Sequence, residues 1–479
     1  MYQPQVLAYL QHVARRHDLY KDLIFETALT GAQWDPLSER WNVQTSTGAN
    51  FSTRYLITSL GLLSKQNFPD IPGIDDFEGE KYHTGAWPAG VQLDGKRVGV
   101  IGNGSTGVQV ITDIAKRVKH LISFQRNPQF SVPSGQGPVA KEYRDRINAN
   151  YQQIWKEVKD ESSFGFGFDE TSRPTFSVSP EERDQIFEKA WRTGGGFRFM
   201  FETFGDISVN EDANNAAADF IKRKIRETVH DQEKARKLLP TQLYARRPLC
   251  DAGYYEQFNR ENVDVVSLNE TPIDRIIPKG VQTSDGVEHE VDMLIFATGF
   301  DAVDGNYTRL AIRGSSGQTL KEHWSQGPTS YLGIAVPSFP NMFMILGPNG
   351  PFCNIPPAIE THVEMISDMI ASAEKPDGSI IVHGADNSRL RHDSFVNGRS
   401  EAIPKPPVIE ATAEAEQGWT EECDKASASS LFRKTDSWIF GSNVPGKTHA
   451  VMFYFGGLST YRSKLREIAS DGWRGFAIK

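Results

Sequence analysis

The fold of this chain is decided by residues 97–107, which read RVGVIGNGSTG. An apolar strand at 97–101 runs into a glycine-rich turn, an amphipathic helix follows, and a second strand comes at 121–124. A G-x-G-x-x-G turn between a strand and a helix is typical of the βαβ unit that binds a dinucleotide. The helix start would supply free N–H groups to the phosphates. The candidate phosphate-binding residues are Gly102, Asn103, Gly104, Ser105, Thr106 and Gly107. The alternative is a glycine-rich turn that binds nothing.

The end of the second strand predicts which dinucleotide is bound. An acidic residue there would hydrogen-bond the ribose 2′-OH of NAD or FAD, but residues 125–127 are Gln, Arg and Asn. Arg126 can pair bidentately with a 2′-phosphate, and Asn127 can donate to a phosphate. The pattern therefore favours NADP(H) over NAD. The alternative for Arg126 is a solvated charge at the end of a strand.

Composition excludes several classes of function. The 479 residues have a formal net charge of −9, which argues against a general nucleic-acid binder. No apolar run is long enough to span a membrane, and the N-terminus lacks the pattern of a secretory signal. The three cysteines stand far apart, and no clustered metal-ligand spacing is visible, so no disulfide scaffold and no metal site are expected. We expect a cytoplasmic monomer.

The chain changes character several times along its length. An amphipathic helix is predicted at 5–19 and strands at 24–25 and 41–45, and high Pro and Gly content at 68–95 suggests a linker. Residues 140–240 are charged, aromatic and mostly helical in pattern, after which strands return. Residues 375–407 have no clear period. They are interpreted either as a long surface loop or as an artefact of the gene model.

A short motif precedes the glycine-rich turn and carries a family resemblance. Phe77, Gly79, His83 and Trp87 have the spacing F-x-G-x-x-x-H-x-x-x-W, followed by Pro. By themselves His83 and Trp87 are unremarkable, because a lone His in a loop is usually structural. The spacing resembles that of the type I Baeyer–Villiger monooxygenases, whereas related flavin monooxygenases typically carry Phe or Tyr at the position of Trp87. Similar stretches extend the resemblance over most of the chain; they are residues 193–206, 243–251 and 437–447.

The resemblance implies an α/β fold with two dinucleotide-binding, Rossmann-like domains, one for FAD and one for NADPH, and a helical insertion in the latter. The implied division is 1–88 for part of the FAD domain and the linker, 89–139 for the first part of the NADP domain, 140–250 for the helical insertion, 251–305 for the second part of the NADP domain, and 306–479 for the C-terminal part of the FAD domain, with an atypical insertion at 375–407.

The resemblance also implies a reaction. In that family NADPH reduces FAD, the reduced flavin takes up O2 as a C4a-peroxide, and the peroxide attacks a ketone to give an ester or lactone. An anionic peroxide needs a fixed cation beside it, and Arg247 matches the active-site arginine of the family. Arg246 stands where the family usually has a lysine that contacts the NADP 2′-phosphate. Without the resemblance, the two arginines would be interpreted as an ordinary surface doublet.

Further residues match segments that border the cofactors in the family. Gly61 and Leu62 match one segment beside the flavin, and Thr298 and Gly299 match another. Trp438 matches a tryptophan near the nicotinamide and the substrate, although by sequence alone it would be assigned to the core. His83 and Trp87 match positions in the interdomain linker that support domain movement.

The sequence departs from the family pattern at its start. The family has two glycine-rich loops, and the one for FAD normally opens the chain, so we expect the FAD domain to be N-terminally truncated. Two alternatives to a ketone monooxygenase stay open. The intact glycine turn with Arg126 would suit an NADP(H)-binding remnant without flavin. A flavin monooxygenase that oxygenates N or S atoms is the other, and Trp87 argues against it.

Overall fold

A computed structural model describes residues 3–375 and 407–479. The insertion predicted at 375–407 therefore lies, apart from its two end residues, outside the described residues. The α-helices are α1 (Gln3–Arg16), α2 (Ser105–Ile114), α3 (Lys141–Ala149), α4 (Tyr151–Asp160), α5 (Pro180–Thr193), α6 (Gly196–Phe201), α7 (Glu211–Thr228), α8 (Gln232–Leu238), α9 (Gly305–Thr308), α10 (Leu320–His323), α11 (Ile355–Ala373), α12 (Ala413–Ser427) and α13 (Leu458–Ser470).

The β-strands of the described residues are short. They are β1 (Leu29–Asp35), β2 (Arg40–Thr45), β3 (Asn50–Thr53), β4 (Leu56–Thr58), β5 (Glu80–His83), β6 (Arg97–Ile101), β7 (His120–Gln125), β8 (Ser131–Pro133), β9 (Leu249–Asp251), β10 (Val263–Ser267), β11 (Ile273–Ile277), β12 (Gly280–Thr283), β13 (Glu288–Glu290), β14 (Met293–Phe296), β15 (Ala311–Arg313), β16 (Met342–Met344), β17 (Gly350–Pro351), β18 (Ile409–Ala411), β19 (Phe453–Tyr454) and β20 (Phe476–Ile478).

The largest sheet has five strands in the order β10-β7-β6-β14-β5, and every neighbouring pair is parallel. Its central strands are continuous apolar runs because a parallel sheet is covered on both faces. In β14 each residue is buried, and α2 lies against the sheet with Val108 and Ile111 fully buried. The strand β5 comes from the stretch predicted to be a linker, so that stretch contributes an edge strand to this sheet.

Helices α3 to α8 lie within the segment predicted to be a helical insertion. Local signals explain where they begin: Ser179 caps α5 by accepting from the N–H of Glu182, and Asn210 caps α7 by accepting from that of Ala213. Aromatic side chains from these helices pack into the same core as the five-stranded sheet. Phe187, for example, stacks on Phe199 with ring centroids 5.4 Å apart.

The N-terminal part differs from the prediction in detail. The helix spans Gln3–Arg16 instead of 5–19, and the strand predicted at 24–25 is wrong, because the first strand begins at Leu29. Among the described residues, no strand pairs with the chain at 24–25 to supply a ladder of hydrogen bonds. Strands β15, β1, β2 and β3 form a mixed sheet, and β4 pairs in parallel with β16.

The remaining strands form small pairs and one three-stranded antiparallel sheet, β11-β12-β13. Helices α11, α12 and α13 enclose a second core around Met369, Trp419 and Tyr461. In the described part of the chain, no helix combines the length and the apolar character needed to cross a lipid bilayer.

Candidate dinucleotide site

The glycine-rich turn joins β6 to α2, as the sequence predicts. A Cβ on Gly102, whose φ is +101°, would lie 2.5 Å from the carbonyl oxygen of Ala297, and one on Gly107 would lie 2.2 Å from that of Gly102. Both positions therefore require glycine for close packing. Gly104 is different, because a Cβ there would meet no protein atom within 4 Å. The space in front of Gly104 is open to a ligand, and α2 begins directly behind it with free N–H groups.

Side chains around the turn hold it against the end of β7. The amide of Asn103 donates to Gln125 Oε1 and to the carbonyl of Asn127, both at 3.0 Å. Ser105 and Thr106 form the first turn of α2 and are partly exposed. Asn127 therefore supports the turn through its backbone, while its side chain is half-buried.

Arg126 and Arg246 come from distant parts of the chain and meet beside this turn. Arg126 is exposed at the end of β7, and Arg246 is half-buried. Desolvation lowers the pKa of the Arg246 guanidinium, and the neighbouring charge of Arg126 lowers it further, while Asp436 acts in the opposite direction. Within residues 3–375 and 407–479, nothing hydrogen-bonds the buried Nε of Arg246. Two adjacent cations with an unused buried donor form a site for an anionic group.

Arg247 also lies beside this turn. Its Nη1 donates to Oγ of Ser105 at 3.3 Å, and its guanidinium lies 5.8 Å from the ring centroid of Phe197. Arg247 is exposed, yet partial desolvation of its guanidinium lowers its pKa. A small cavity beside both arginines is also lined by Gln129, Leu243 and Tyr244. The structure therefore brings Arg247 to the helix start, where its charge is fixed.

The turn after β14 lies next to the glycine-rich turn through Ala297. Thr298 donates through Oγ1 to the carbonyl of Asn67 at 2.6 Å, and Gly299 has a φ of +79° with open space where a Cβ would be. Gly61 also has a positive φ, +73°, while Leu62 is half-buried against the main core. A Cβ on Gly61 would lie 3.6 Å from Oγ of Ser64, so it is the open face of Gly299 that allows a planar ring system to approach the backbone here.

The motif at 77–87 has a structural place in the sheet. Phe77 is buried, and Gly79 approaches the carbonyl of Asp292 so closely that a Cβ would lie 2.5 Å from it. His83 ends β5; its Nδ1 accepts from the N–H of Gly85 and its Nε2 contacts the carbonyl of Gly299 at 3.1 Å. Burial lowers the pKa of His83, so the neutral ring is favoured. Trp87 is 40% exposed.

Trp438 lies in a short 3₁₀ helix, Trp438–Phe440, that begins close to Arg246. It is half-buried and meets Phe453 edge-on, with ring centroids 5.7 Å apart. Just before it, Thr435 donates to the carbonyl of Ala245 at 2.7 Å. This contact ties the Trp438 segment to the arginine segment, which the sequence does not indicate.

Sequence reasoning missed the polar side chains that organise the turn at 61–65. The side chain of Asn306 is fully buried; it accepts from the N–H groups of Ser64 and Lys65 and donates to the carbonyl of Gly61. Asp301 pairs with Lys65 and Lys447. The only signal in the sequence was a charged residue directly after a buried strand, because the partners are 146 to 245 residues away.

The observed residues fit NADP and the ring of a flavin. The open face of Gly104 and the unpaired Nε of Arg246 suit a pyrophosphate and a 2′-phosphate. The open face of the positive-φ Gly299 leaves room for a flavin ring. Within the described ranges, the turn at 102–107 is the one glycine-rich phosphate cradle of this pattern.

Comparison with known proteins agrees with this geometry. Residues 1–132 match the family described as flavin-binding monooxygenase-like. A Baeyer–Villiger monooxygenase from Pseudooceanicola batsensis is 46% identical over 98% of this chain and 81% of its own length. The crystal structure of cyclohexanone monooxygenase from Rhodococcus sp. Phi1 bound to NADP+ has a TM-score of 0.92 and 52% identity, covering 100% of this chain and 85% of its own.

The chain belongs to the Baeyer–Villiger monooxygenases. It is thus a flavin-dependent monooxygenase, and the family predicted from the motif at 77–87 is confirmed. This group of similar proteins also includes phenazine N-monooxygenase PhzNO1 from Lysobacter antibioticus, 48% identical over 99% of this chain and 83% of its own length. The expected N-terminal truncation stays a prediction, as do the individual site assignments.

Proposed function

We propose that this Baeyer–Villiger monooxygenase uses FAD and NADPH to insert one oxygen atom of O2 into a cyclic ketone, giving a lactone. The observation that carries the proposal is the buried, unpaired Nε of Arg246 beside Arg126 at the glycine-rich turn. These two cations would hold the 2′-phosphate of NADP, while Gly104 and the start of α2 would hold its pyrophosphate.

Arg247 has the position of an electrostatic catalyst in this scheme. Its guanidinium stays charged at any working pH and is held at the helix start by Ser105 and Phe197. It would stabilise negative charge that develops on the reacting oxygen atoms. Bound FAD would supply the activation of O2, and Gly61, Leu62, Thr298 and Gly299 would border its ring.

The proposal is tested by incubating the purified protein with FAD, removing free flavin, and assaying the protein with cyclohexanone and NADPH. We expect lactone by gas chromatography, and we expect Arg247→Ala to lower its rate at least a hundredfold without weakening NADPH binding. Arg192→Ala, which changes an exposed arginine on α5, serves as the matched control. Near-normal lactone formation by Arg247→Ala would contradict the assigned role.

The similarity to phenazine N-monooxygenase provides a second substrate for the same assay. Phenazine is offered in place of cyclohexanone, and products are separated as N-oxide or lactone. Formation of N-oxide without any lactone would replace the ketone in the proposal by an aromatic nitrogen heterocycle.

A further inference from the structure

Four charged side chains meet directly after β14, outside the glycine-rich turn. Nζ of Lys447 lies 2.7 Å from Oδ1 of Asp301 and 2.5 Å from Oδ1 of Asp304, and it donates to the carbonyl of Ala302 at 3.0 Å. Nζ of Lys65 pairs with the other carboxylate oxygen of Asp301 at 2.8 Å. Lys447 and the two aspartates keep only 11–13% of their side-chain exposure. The cluster is therefore a largely buried, charge-balanced network.

The electrostatic balance of this cluster depends on Lys447. Burial opposes ionisation of Asp301, yet hydrogen bonds from Lys447 and Lys65 hold its pKa below the usual value. Burial raises the pKa of Asp304, and Lys447 acts against that rise. Removing one member of a buried ion pair leaves the other charge without compensation, which is far more damaging than loss of a surface pair. Lys447 is thus the group on which both carboxylates depend.

The cluster connects three segments that are distant in sequence. Lys65 ends the turn at 61–65, Asp301 follows Gly299, and Lys447 ends the segment 435–447, which we call the strap. At its other end the strap is tied to the arginine segment, since Thr435 donates to the carbonyl of Ala245. Between these ends, Nδ2 of Asn443 donates to the carbonyl of Phe300 at 2.8 Å.

Both anchors of the strap are close in sequence to residues of the dinucleotide site. Thr435 bonds to Ala245, which precedes Arg246 and Arg247, and Lys447 bonds to Asp301, four residues after Ala297, the residue that a Cβ on Gly102 would meet. Trp438 therefore lies on a segment that is tied at both ends to parts of the chain bordering the site. A segment fixed at both ends loses less conformational entropy when a ligand binds beside it than one fixed at one end.

We propose that Lys447 and Asp301 are positioning residues: their buried ion pair fixes the strap beside the dinucleotide site, and it links the strap to the turn at 61–65. The proposal rests on the proposed function for the identity of the nucleotide. The structure of the strap itself does not depend on that identity, and the two can be tested separately.

Limited digestion with chymotrypsin tests the anchor without any cofactor. Phe440 is fully buried in the strap, so cleavage after it reports release of the segment. We expect Lys447→Met to increase that cleavage rate about tenfold and Lys447→Arg to restore it. Lys464→Met is the control. Lys464 lies on α13, and its ion pair with Glu422 is half-exposed and outside the strap. Cleavage by Lys447→Met at the control rate would overturn the proposal.

Titration with NADP+ tests the consequence for the site. We expect Lys447→Met to raise the Kd for NADP+ about tenfold and KM for NADPH by a similar factor, with a much smaller change in kcat. If the unaltered chain binds no NADP+ while the digestion result holds, then the proposed nucleotide is wrong and the anchor is correct. If Kd is unchanged although the strap is cleaved faster, the positioning role is wrong.

A variant that keeps the size of the side chain guards against a folding defect. Asp301→Asn retains shape and removes the charge that faces both lysines, and far-UV circular dichroism reports its fold. We expect faster cleavage after Phe440 and a raised Kd in this variant as well. Cleavage of folded Asp301→Asn at the normal rate would contradict the proposal independently of Lys447.

Discussion

The glycine-turn region (residues 80–139 and 249–300) and the β4–β16 region (residues 3–65 and 301–375) position their candidate site residues by different means. In the first, five parallel strands bury their apolar side chains, and β6 and β14 carry the glycine-rich turn and Gly299 at their ends. In the second, β4 has one parallel partner, Ile57 is 50% exposed, and α1 buries none of its side chains within the described structure.

This difference shows two ways to fix a turn. Around Gly102 the close approach of backbone to backbone leaves no room for a Cβ, so shape sets the conformation, and the hydrogen bonds of Asn103 hold the turn against the end of β7. Around Gly61 little apolar surface is buried, and the side chain of Asn306 holds the turn by three hydrogen bonds. Substitutions should therefore act through shape in the first region and through lost polar contacts in the second.

The largest expected effect is on nucleotide affinity in the glycine-turn region. Gly104→Val places atoms in the open space where a pyrophosphate would lie, so we expect the Kd for NADPH to rise at least a hundredfold, measured by titration. Because no protein atom lies within 4 Å of that Cβ, the free energy of unfolding should change by no more than about 1 kcal/mol. Gly137→Val, at an equally open position, should leave the affinity unchanged.

The next effect concerns the stability of the β4–β16 region. Asn306→Ala removes a fully buried amide and its three hydrogen bonds to Gly61, Ser64 and Lys65, so we expect a loss of about 2 kcal/mol in the free energy of unfolding. Urea denaturation measures it. The control, Asn150→Ala, removes an exposed amide that donates to the carbonyl of Arg146. Equal losses in both variants would show that the turn at 61–65 is not held by Asn306.

A smaller effect distinguishes the two nicotinamide cofactors. Arg126→Ala should raise the Kd for NADPH about tenfold, roughly 1.4 kcal/mol, because one cation facing the 2′-phosphate is lost. The Kd for NADH should change less than twofold, since NADH lacks that phosphate. An equal change for both cofactors would remove the 2′-phosphate from the assignment of Arg126.

The last prediction concerns a pH dependence in the β4–β16 region. Complete burial lowers the pKa of His362 to about 3, and its Nδ1 accepts from the N–H of Leu346 while Nε2 contacts the hydroxyl of Tyr461. The unfolded chain therefore takes up the proton first as pH falls below about 6.5, and this group removes up to ~1.4 kcal/mol of stability per pH unit.

His362→Gln keeps an acceptor and a donor but does not titrate. Urea denaturation at pH 7, 6 and 5 should therefore give a shallower loss of stability for the variant than for the unaltered chain. Identical slopes would show that His362 is protonated in the folded state or exposed to water.

Much of the site was predictable from local sequence. Gly102, Gly104 and Gly107 lie in a single turn, and Arg126 follows the next strand. The binding role of each can therefore be predicted from a segment of about 30 residues. The exposed helix α1 and the strand wrongly predicted at 24–25 mark the opposite case. Their apolar residues follow a local pattern, but a local pattern does not show which other part of the chain, if any, covers these residues.

The sequence by itself determined the strand–turn–helix unit, the preference for NADP and, through the motif at 77–87, the family, because short-range spacing dictates backbone conformation. The tertiary structure alone decided which charges meet. Arg126 and Arg246 are 120 residues apart, and Lys447 reaches Asp301 across 146. The ion pair of Lys447 and Asp301 forms because a buried charge must find a partner of opposite sign wherever the folded backbone brings one near. The position of that partner depends on the packing of the whole chain.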